Sequence, residues 1–186
     1  MLSPEEKSYL LRLARASLEA YFKKEEWEAE APLPEKYPHL WERRGVFVTL
    51  YKKGELRGCI GDIAPEGPLF RSVPKVALSS ALSDPRFPPL KEEELSEVEI
   101  EISVLSPFKK ASPEDLVLGR QGIYLKKGYH RGLLLPQVAT EYGWDRETFL
   151  RMGCRKAGLP EDCYLDPEVE LYLFEAEVFK ESEFST

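Results

Sequence analysis

The fold is decided by residues 46–61, whose sequence is VFVTLYKKGELRGCIG. Residues 46–51 are rich in β-branched and aromatic side chains, which is typical of a strand. Residues 52–55 contain the lysines and the glycine of a turn, and residues 56–61 predict a returning strand. We therefore predict an antiparallel β-hairpin over this stretch.

The returning strand contains residue types that are common in binding and catalytic sites. Strict alternation places Arg57, Cys59 and Gly61 on one face and Gly58 on the other. A cation can lower the pKa of a thiol from its free value of about 8.5, and a strand glycine often marks the close approach of a ligand or another backbone. These features predict Cys59 as a catalytic thiol and Arg57, Gly58 and Gly61 as ligand contacts. A small packed cysteine and an arginine with a structural partner are the alternatives.

A second candidate segment is the loop over residues 84–90, which has three prolines in seven residues. Stiff loops often display functional groups on a rigid scaffold. Asp84 is predicted as a catalytic acid or base, and Arg86 is predicted to bind an anionic ligand. A turn in which Asp84 caps its own backbone is the alternative.

The rest of the chain predicts an α+β fold, with a mostly antiparallel sheet flanked by helices. Apolar residues alternate with glutamates over residues 97–104, which is typical of an antiparallel strand with one solvated face. We expect this acidic strand at a sheet edge, and the run Glu92–Glu94 on a solvated surface. A second hairpin is predicted within residues 121–135, and a last strand is predicted to contain a bulge near Leu173. Helices are predicted over residues 4–25, 68–83, 136–143 and 145–157, with Ser3 capping the first and Asp145 capping the last.

Composition limits the function classes. A chain of 186 residues suits one domain, and its net charge of −7 argues against a nucleic-acid-binding surface. No window resembles a membrane span or a signal peptide, so a cytoplasmic location is expected. The absence of asparagine, with 32% charged residues, indicates a thermophilic source. No metal-ligand spacing or nucleotide-binding motif is present, so neither a metal nor a cofactor is predicted.

The three cysteines are too few for a disulfide scaffold. Cys154 and Cys163 could form a disulfide if a turn over residues 158–160 brings them together. Two independently packed thiols are the alternative.

The ordered blocks of this sequence resemble the AMMECR domain family (AMME syndrome candidate gene 1 protein), known in prokaryotes as protein A of the AmmeMemoRadiSam system. The signature LRGCIG at 56–61 is accompanied by SALSDPRFPPL at 80–90 and GLLLPQV at 132–138. Further similar blocks are EIEISVL at 99–105, GWD at 143–145 and CRKAGLP at 154–160. The similarity spans about residues 5–180, and the last block resembles the prokaryotic branch.

The resemblance implies a single AMMECR-type domain over residues 1–186, with a larger and a smaller lobe around one cleft. The family has no established reaction, but its members tend to be encoded or fused with a Memo-like protein and a radical-SAM protein, which are therefore the predicted partners. One hypothesis is an enzyme or enzyme component acting on an anionic small molecule. The alternative is a non-catalytic binding or scaffold protein of the same pathway.

Overall fold

The computed structural model describes residues 1–184, which form two compact units. The first unit comprises Met1–Leu105 and the chain from Glu177 onward, and the second comprises Ser106–Ala176. Each unit contains a four-stranded sheet and helices, so the predicted α+β fold is confirmed. In chain order the elements are α1 (Pro4–Phe22), β1 (Val46–Lys52), β2 (Glu55–Asp62), α2 (Leu69–Leu82), β3 (Val98–Leu105), β4 (Lys109–Lys110), β5 (Gly122–Lys127), β6 (His130–Leu134), α3 (Pro136–Tyr142), α4 (Arg146–Lys156), β7 (Glu170–Phe174) and β8 (Ala176–Lys180).

The first unit has strand order β2-β1-β3-β8, with α2 packed on β1 and β2 and α1 packed on α2 and β3. Helix α1 begins with a capping box, in which Ser3 accepts from the Glu6 backbone and the Glu6 side chain accepts from the Ser3 backbone. The alternating residues of β1 and β3 face these helices and are fully buried, as Leu50 and Ile100 illustrate. Burial of these side chains fixes the sheet against both helices.

The second unit has strand order β4-β7-β5-β6, and α4 packs on β5 and β6. Gly153 allows this close packing, because a Cβ atom there would lie 2.5 Å from Cδ1 of Ile123. Asp145 caps α4 by accepting from the Thr148 backbone, as the sequence predicts. Cys154, buried in α4, forms a disulfide with Cys163. The disulfide therefore joins the helix to the turn that follows it.

Two predictions about strands are wrong. The acidic strand β3 lies between β1 and β8 rather than at a sheet edge. The predicted long last strand is two strands, because the chain leaves β7 at Glu175 and continues as β8 in the other sheet. A bulge within one strand and a change from one sheet to the other shift the alternation of apolar residues in the same way. The sequence pattern alone therefore did not distinguish these two structures.

Within residues 1–184, no helix is long and apolar enough to cross a bilayer.

The disulfide is expected to stabilise the second unit by restricting its unfolded chain. Its cysteines are 9 residues apart, and a loop of this size corresponds to about 2 to 3 kcal/mol of unfolding free energy. The Cys154→Ala/Cys163→Ala variant should lose about this amount in urea unfolding. As a control, reductant should lower the midpoint of the wild type and leave that of the variant unchanged. Equal stability of oxidised wild type and variant would contradict the stabilising role.

Candidate functional site

The two strands of the hairpin change register at Arg57. Their pairing shifts by one residue between Leu50 and Tyr51 of β1, which leaves Arg57 as the extra residue of a β-bulge in β2. Strict alternation therefore ends at this point. The prediction that alternation places Arg57 on the face of Cys59 is wrong, and the guanidinium contacts Glu94 instead.

Arg57 binds Glu94 through two hydrogen bonds. Its Nε donates to Oε1 at 2.9 Å and its Nη2 donates to Oε2 at 3.0 Å. Lys52 Nζ donates to the same carboxylate at 3.0 Å, and the Arg57 side chain is only 11% exposed. The hydrogen bonds from Arg57 lower the pKa of Glu94 to about 2. Glu94 is therefore not on a solvated surface as predicted, and the fork of Arg57 is occupied by the protein itself.

Gly58 lies where α2 approaches β2. A Cβ atom at this position would lie 2.1 Å from the Ser80 carbonyl oxygen. The Ser80 hydroxyl donates to the carbonyl of Val48 at 2.7 Å and accepts from the backbone of Ile60 at 2.9 Å. The glycine is therefore explained by the close approach of a helix rather than by a ligand.

Gly61 is explained by an aromatic neighbour on the adjacent strand. It pairs with Phe47 of β1, and a Cβ atom at Gly61 would lie 2.4 Å from the Phe47 ring. The ring occupies the space that the missing side chain leaves.

Asp84 joins the two candidate segments. Its Oδ2 accepts from the backbone of Cys59 at 3.0 Å and from Arg86 Nη2 at 2.8 Å. Its Oδ1 accepts from the backbone and from Nε of Arg86 at 3.0 and 3.1 Å. The hydrogen bonds from the Arg86 side chain hold the pKa of this buried carboxyl well below its usual range. Asp84 therefore stays ionised near neutral pH and positions other groups instead of exchanging protons.

The side chain of Arg86 is largely exposed to solvent. Its side chain is 56% exposed, whereas that of Asp84 is 3% exposed. The Nη2 atom also donates to the carbonyl oxygen of Cys59 at 3.3 Å. Nη1 has no hydrogen-bond acceptor within residues 1–184, so one edge of the guanidinium is directed away from the Asp84 carboxylate.

Cys59 is a partly exposed residue, and its thiol contacts a buried hydroxyl. Its Sγ lies 3.1 Å from Oγ1 of Thr49, its pairing partner on β1, and Thr49 is 5% exposed. The Arg86 charge also interacts with Cys59. The structure thus brings Cys59, Asp84 and Arg86 together and adds Thr49, which the sequence analysis missed.

Groups of side chains that hold metal ions usually contain at least three His, Cys, Asp or Glu residues. In the part of the chain that the structure describes, no such group is close enough to hold an ion.

Sequence and structure comparisons identify the family. The AMMECR1 family model matches residues 11–179. The chain belongs to the AMMECR1 family. A protein of Methanothermobacter thermautotrophicus is 46% identical over 188 residues, which is 97% of this chain and 96% of that protein. Protein PF1979 of Pyrococcus furiosus is 45% identical, over 93% of this chain and 87% of its own length.

A solved structure has the same fold. The crystal structure of the uncharacterised protein PH0010 from Pyrococcus horikoshii matches with a TM-score of 0.89 and 44% identity. The match covers 97% of this chain and 93% of that chain. The resemblance to the AMMECR family is therefore confirmed over residues 11–179, nearly the whole chain.

Substitution of Gly58 tests the close contact between α2 and β2. Gly58→Ala places a methyl group against the Ser80 backbone, which cannot rotate away, so it should cost about 3 kcal/mol in urea unfolding. Gly67→Ala is the matched control, because its Cβ would meet only Arg71 side-chain atoms at 3.9 Å. The control should change stability by less than about 0.5 kcal/mol. Equal effects of the two substitutions would refute the steric explanation.

The Arg57–Glu94 pair should make stability depend on acid pH. The folded pKa of Glu94, about 2, lies below the unfolded value of about 4.3. The pair therefore contributes its full stability above the unfolded pKa and loses it as pH falls toward 2. Glu94→Gln should cost about 2 kcal/mol at pH 7, and the difference from wild type should shrink steadily below pH 5 in urea unfolding. A difference that is constant from pH 7 to 3 would contradict this assignment.

Proposed function

We propose that this AMMECR1-family protein acts on an anionic small molecule at the Cys59 thiol, with Arg86 binding the anionic group. One observation carries the proposal: the Asp84 carboxylate binds the backbone of Cys59 and the guanidinium of Arg86 at the same time. A thiol and a cation are therefore held at a fixed separation on adjoining segments. Such preorganisation is what binding and catalytic sites require.

The proposed anion-binding group is the outward edge of Arg86. The Nε and Nη2 atoms of Arg86 both donate to Asp84, and Nη2 also donates to the Cys59 carbonyl. Nη1 and the end of the guanidinium are left for a ligand. A planar guanidinium binds carboxylates and phosphates through paired hydrogen bonds. Because the Asp84 bonds restrict the rotamers of Arg86, a ligand would lose little binding energy in ordering it.

The proposed reactive group is Cys59. A thiolate is the nucleophilic form of cysteine, and a nearby cation favours that form. Arg86 supplies the cation, and Thr49 supplies a hydroxyl within hydrogen-bonding distance of the sulfur. We therefore assign Cys59 the role of nucleophile or acid/base, and we assign Asp84 a positioning role in place of the predicted catalytic one.

Three of the predicted ligand contacts are left out of this proposal. Arg57 is bound by Glu94, and the space beside Gly58 and Gly61 is filled by Ser80 and the Phe47 ring. A ligand could reach these residues only by displacing packed protein atoms.

The proposal leaves the cellular context open. Memo-like and radical-SAM partners, a cytoplasmic location, a thermophilic source and the alternative scaffold role stay predictions. The scaffold role requires no reactive thiol, so the chemistry of Cys59 separates it from the enzymatic one.

Competition between two alkylating reagents tests the site. Iodoacetate is anionic and iodoacetamide is neutral, and both react with the thiolate. The ratio of their two rate constants at one pH is therefore independent of the thiolate fraction and depends on the electrostatic potential at the sulfur. A positive charge beside the sulfur should raise this ratio above that of glutathione, by up to about threefold for one unpaired charge in water. The Asp84 carboxylate, which pairs with Arg86, offsets part of this increase. The measurement is the Cys59 alkylation rate by intact-protein mass spectrometry, without reductant so that the disulfide stays closed.

The variants define the contribution of Arg86. Arg86→Met leaves the Asp84 carboxylate without its cation, so the ratio should fall to the glutathione value or below it. Arg86→Lys, which keeps the cation, should retain most of the increase. Arg71→Met, which removes an exposed arginine from the first turn of α2, is the matched control and should leave the ratio unchanged. A wild-type ratio equal to that of glutathione, or Cys59 alkylation only on unfolding, would overturn the proposal and favour the scaffold role.

A further inference from the structure

A separate cavity lies between the loop after β2 and the first turns of α2. Its volume is about 520 Å³, within the range of small-molecule sites. Its floor contains buried residues, namely Pro65, Ser72 and Val76. Its rim is charged and exposed, and no part of it belongs to the Cys59 site proposed above.

The walls of this cavity are held in place by hydrogen bonds. Asp62 Oδ1 accepts from the backbone of Ala64 at 3.0 Å, which fixes the start of the loop. The Arg43 guanidinium donates to the Pro65 carbonyl from Nε at 3.3 Å and from Nη2 at 3.1 Å. These hydrogen bonds restrict the loop beside the helix, and a preformed cavity binds with a smaller entropic cost.

The rim carries opposite charges on opposite walls. Asp62 ends β2 and Glu66 belongs to the loop that follows, whereas Arg71 and Lys75 lie one turn apart on α2. Within residues 1–184 the acids and bases of this rim form no ion pair with one another. Arg71 instead contacts the exposed Glu28 at 3.3 Å. The acids and bases of this rim therefore do not neutralise one another.

We propose that this cavity binds a zwitterionic ligand, either a free amino acid or a short peptide. The ammonium group of the ligand faces Asp62 and Glu66, and its carboxylate faces Arg71 and Lys75. A ligand of one charge sign would be repelled by one of the two walls, because like charges in contact are unfavourable. A ligand that carries both charges can form ion pairs with both walls. The remaining volume of the cavity accommodates its side-chain or backbone atoms.

A set of blocked peptides tests the proposal on the full chain. Alanyl-alanine, N-acetyl-alanyl-alanine and alanyl-alanine amide carry both charges, only the negative charge and only the positive charge, respectively. In ¹H–¹⁵N NMR titrations, alanyl-alanine should shift amide signals over residues 62–67 and 71–76 and bind at least about fivefold more tightly than either blocked form. Free alanine, titrated in parallel, distinguishes an amino-acid ligand from a peptide.

Two substitutions locate the binding groups. Asp62→Asn and Lys75→Met should each weaken alanyl-alanine binding by at least about threefold, whereas Lys53→Met, in the exposed β1–β2 turn, should not change it. Equal binding of the charged and blocked peptides, shifts confined to other residues, or no shifts with either alanine or alanyl-alanine would each overturn the proposal. None of these outcomes bears on the alkylation of Cys59.

Discussion

Helix α2 approaches strand β2 so closely at Gly58 that no side chain fits between them, and the candidate site depends on this contact. The Ser80 hydroxyl binds both β1 and β2 next to the contact and fixes the C-terminal turn of the helix. The loop that follows the helix then starts beside the edge strand, with Asp84 opposite the backbone of Cys59. A larger residue at Gly58 would push away the segment that holds Asp84, so the two signature blocks form one structural unit.

Burial of the Asp84 carboxylate determines the electrostatics of the site. A buried charge is tolerated only when it is paired and hydrogen-bonded, and Asp84 meets this requirement through Cys59 and Arg86. The arrangement is asymmetric, because the acid is buried and the base remains exposed. In the proposed site Asp84 is the anchor, and Arg86 is the charge that a ligand would meet. Arg57, although closer to Cys59 in sequence, is paired with Glu94 and largely buried.

Much of the fold follows from local sequence patterns, whereas the site does not. The hairpin turn and the caps at Ser3 and Asp145 depend on neighbouring residues, which is why they could be predicted. The bulge at Arg57 has no such signal, and it changes which residue lies opposite Cys59. Without the bulge, the strand register set by the turn would pair Thr49 with Gly58. The Thr49–Cys59 contact was therefore missed. The partner of Arg57 lies 37 residues away, in an acidic run that composition alone assigns to the surface.

The most direct test of this account is hydrogen exchange of the Cys59 amide. That amide lies on an edge strand and donates to the Asp84 carboxylate, which should protect it from exchange. The account predicts slow exchange in the wild type and exchange at least about tenfold faster in Asp84→Ala. The Ile60 amide, which donates to Ser80, should stay protected in both proteins and so report that the variant is folded. A Cys59 amide that exchanges equally fast in wild type and variant, with Ile60 protected, would contradict the central role of Asp84.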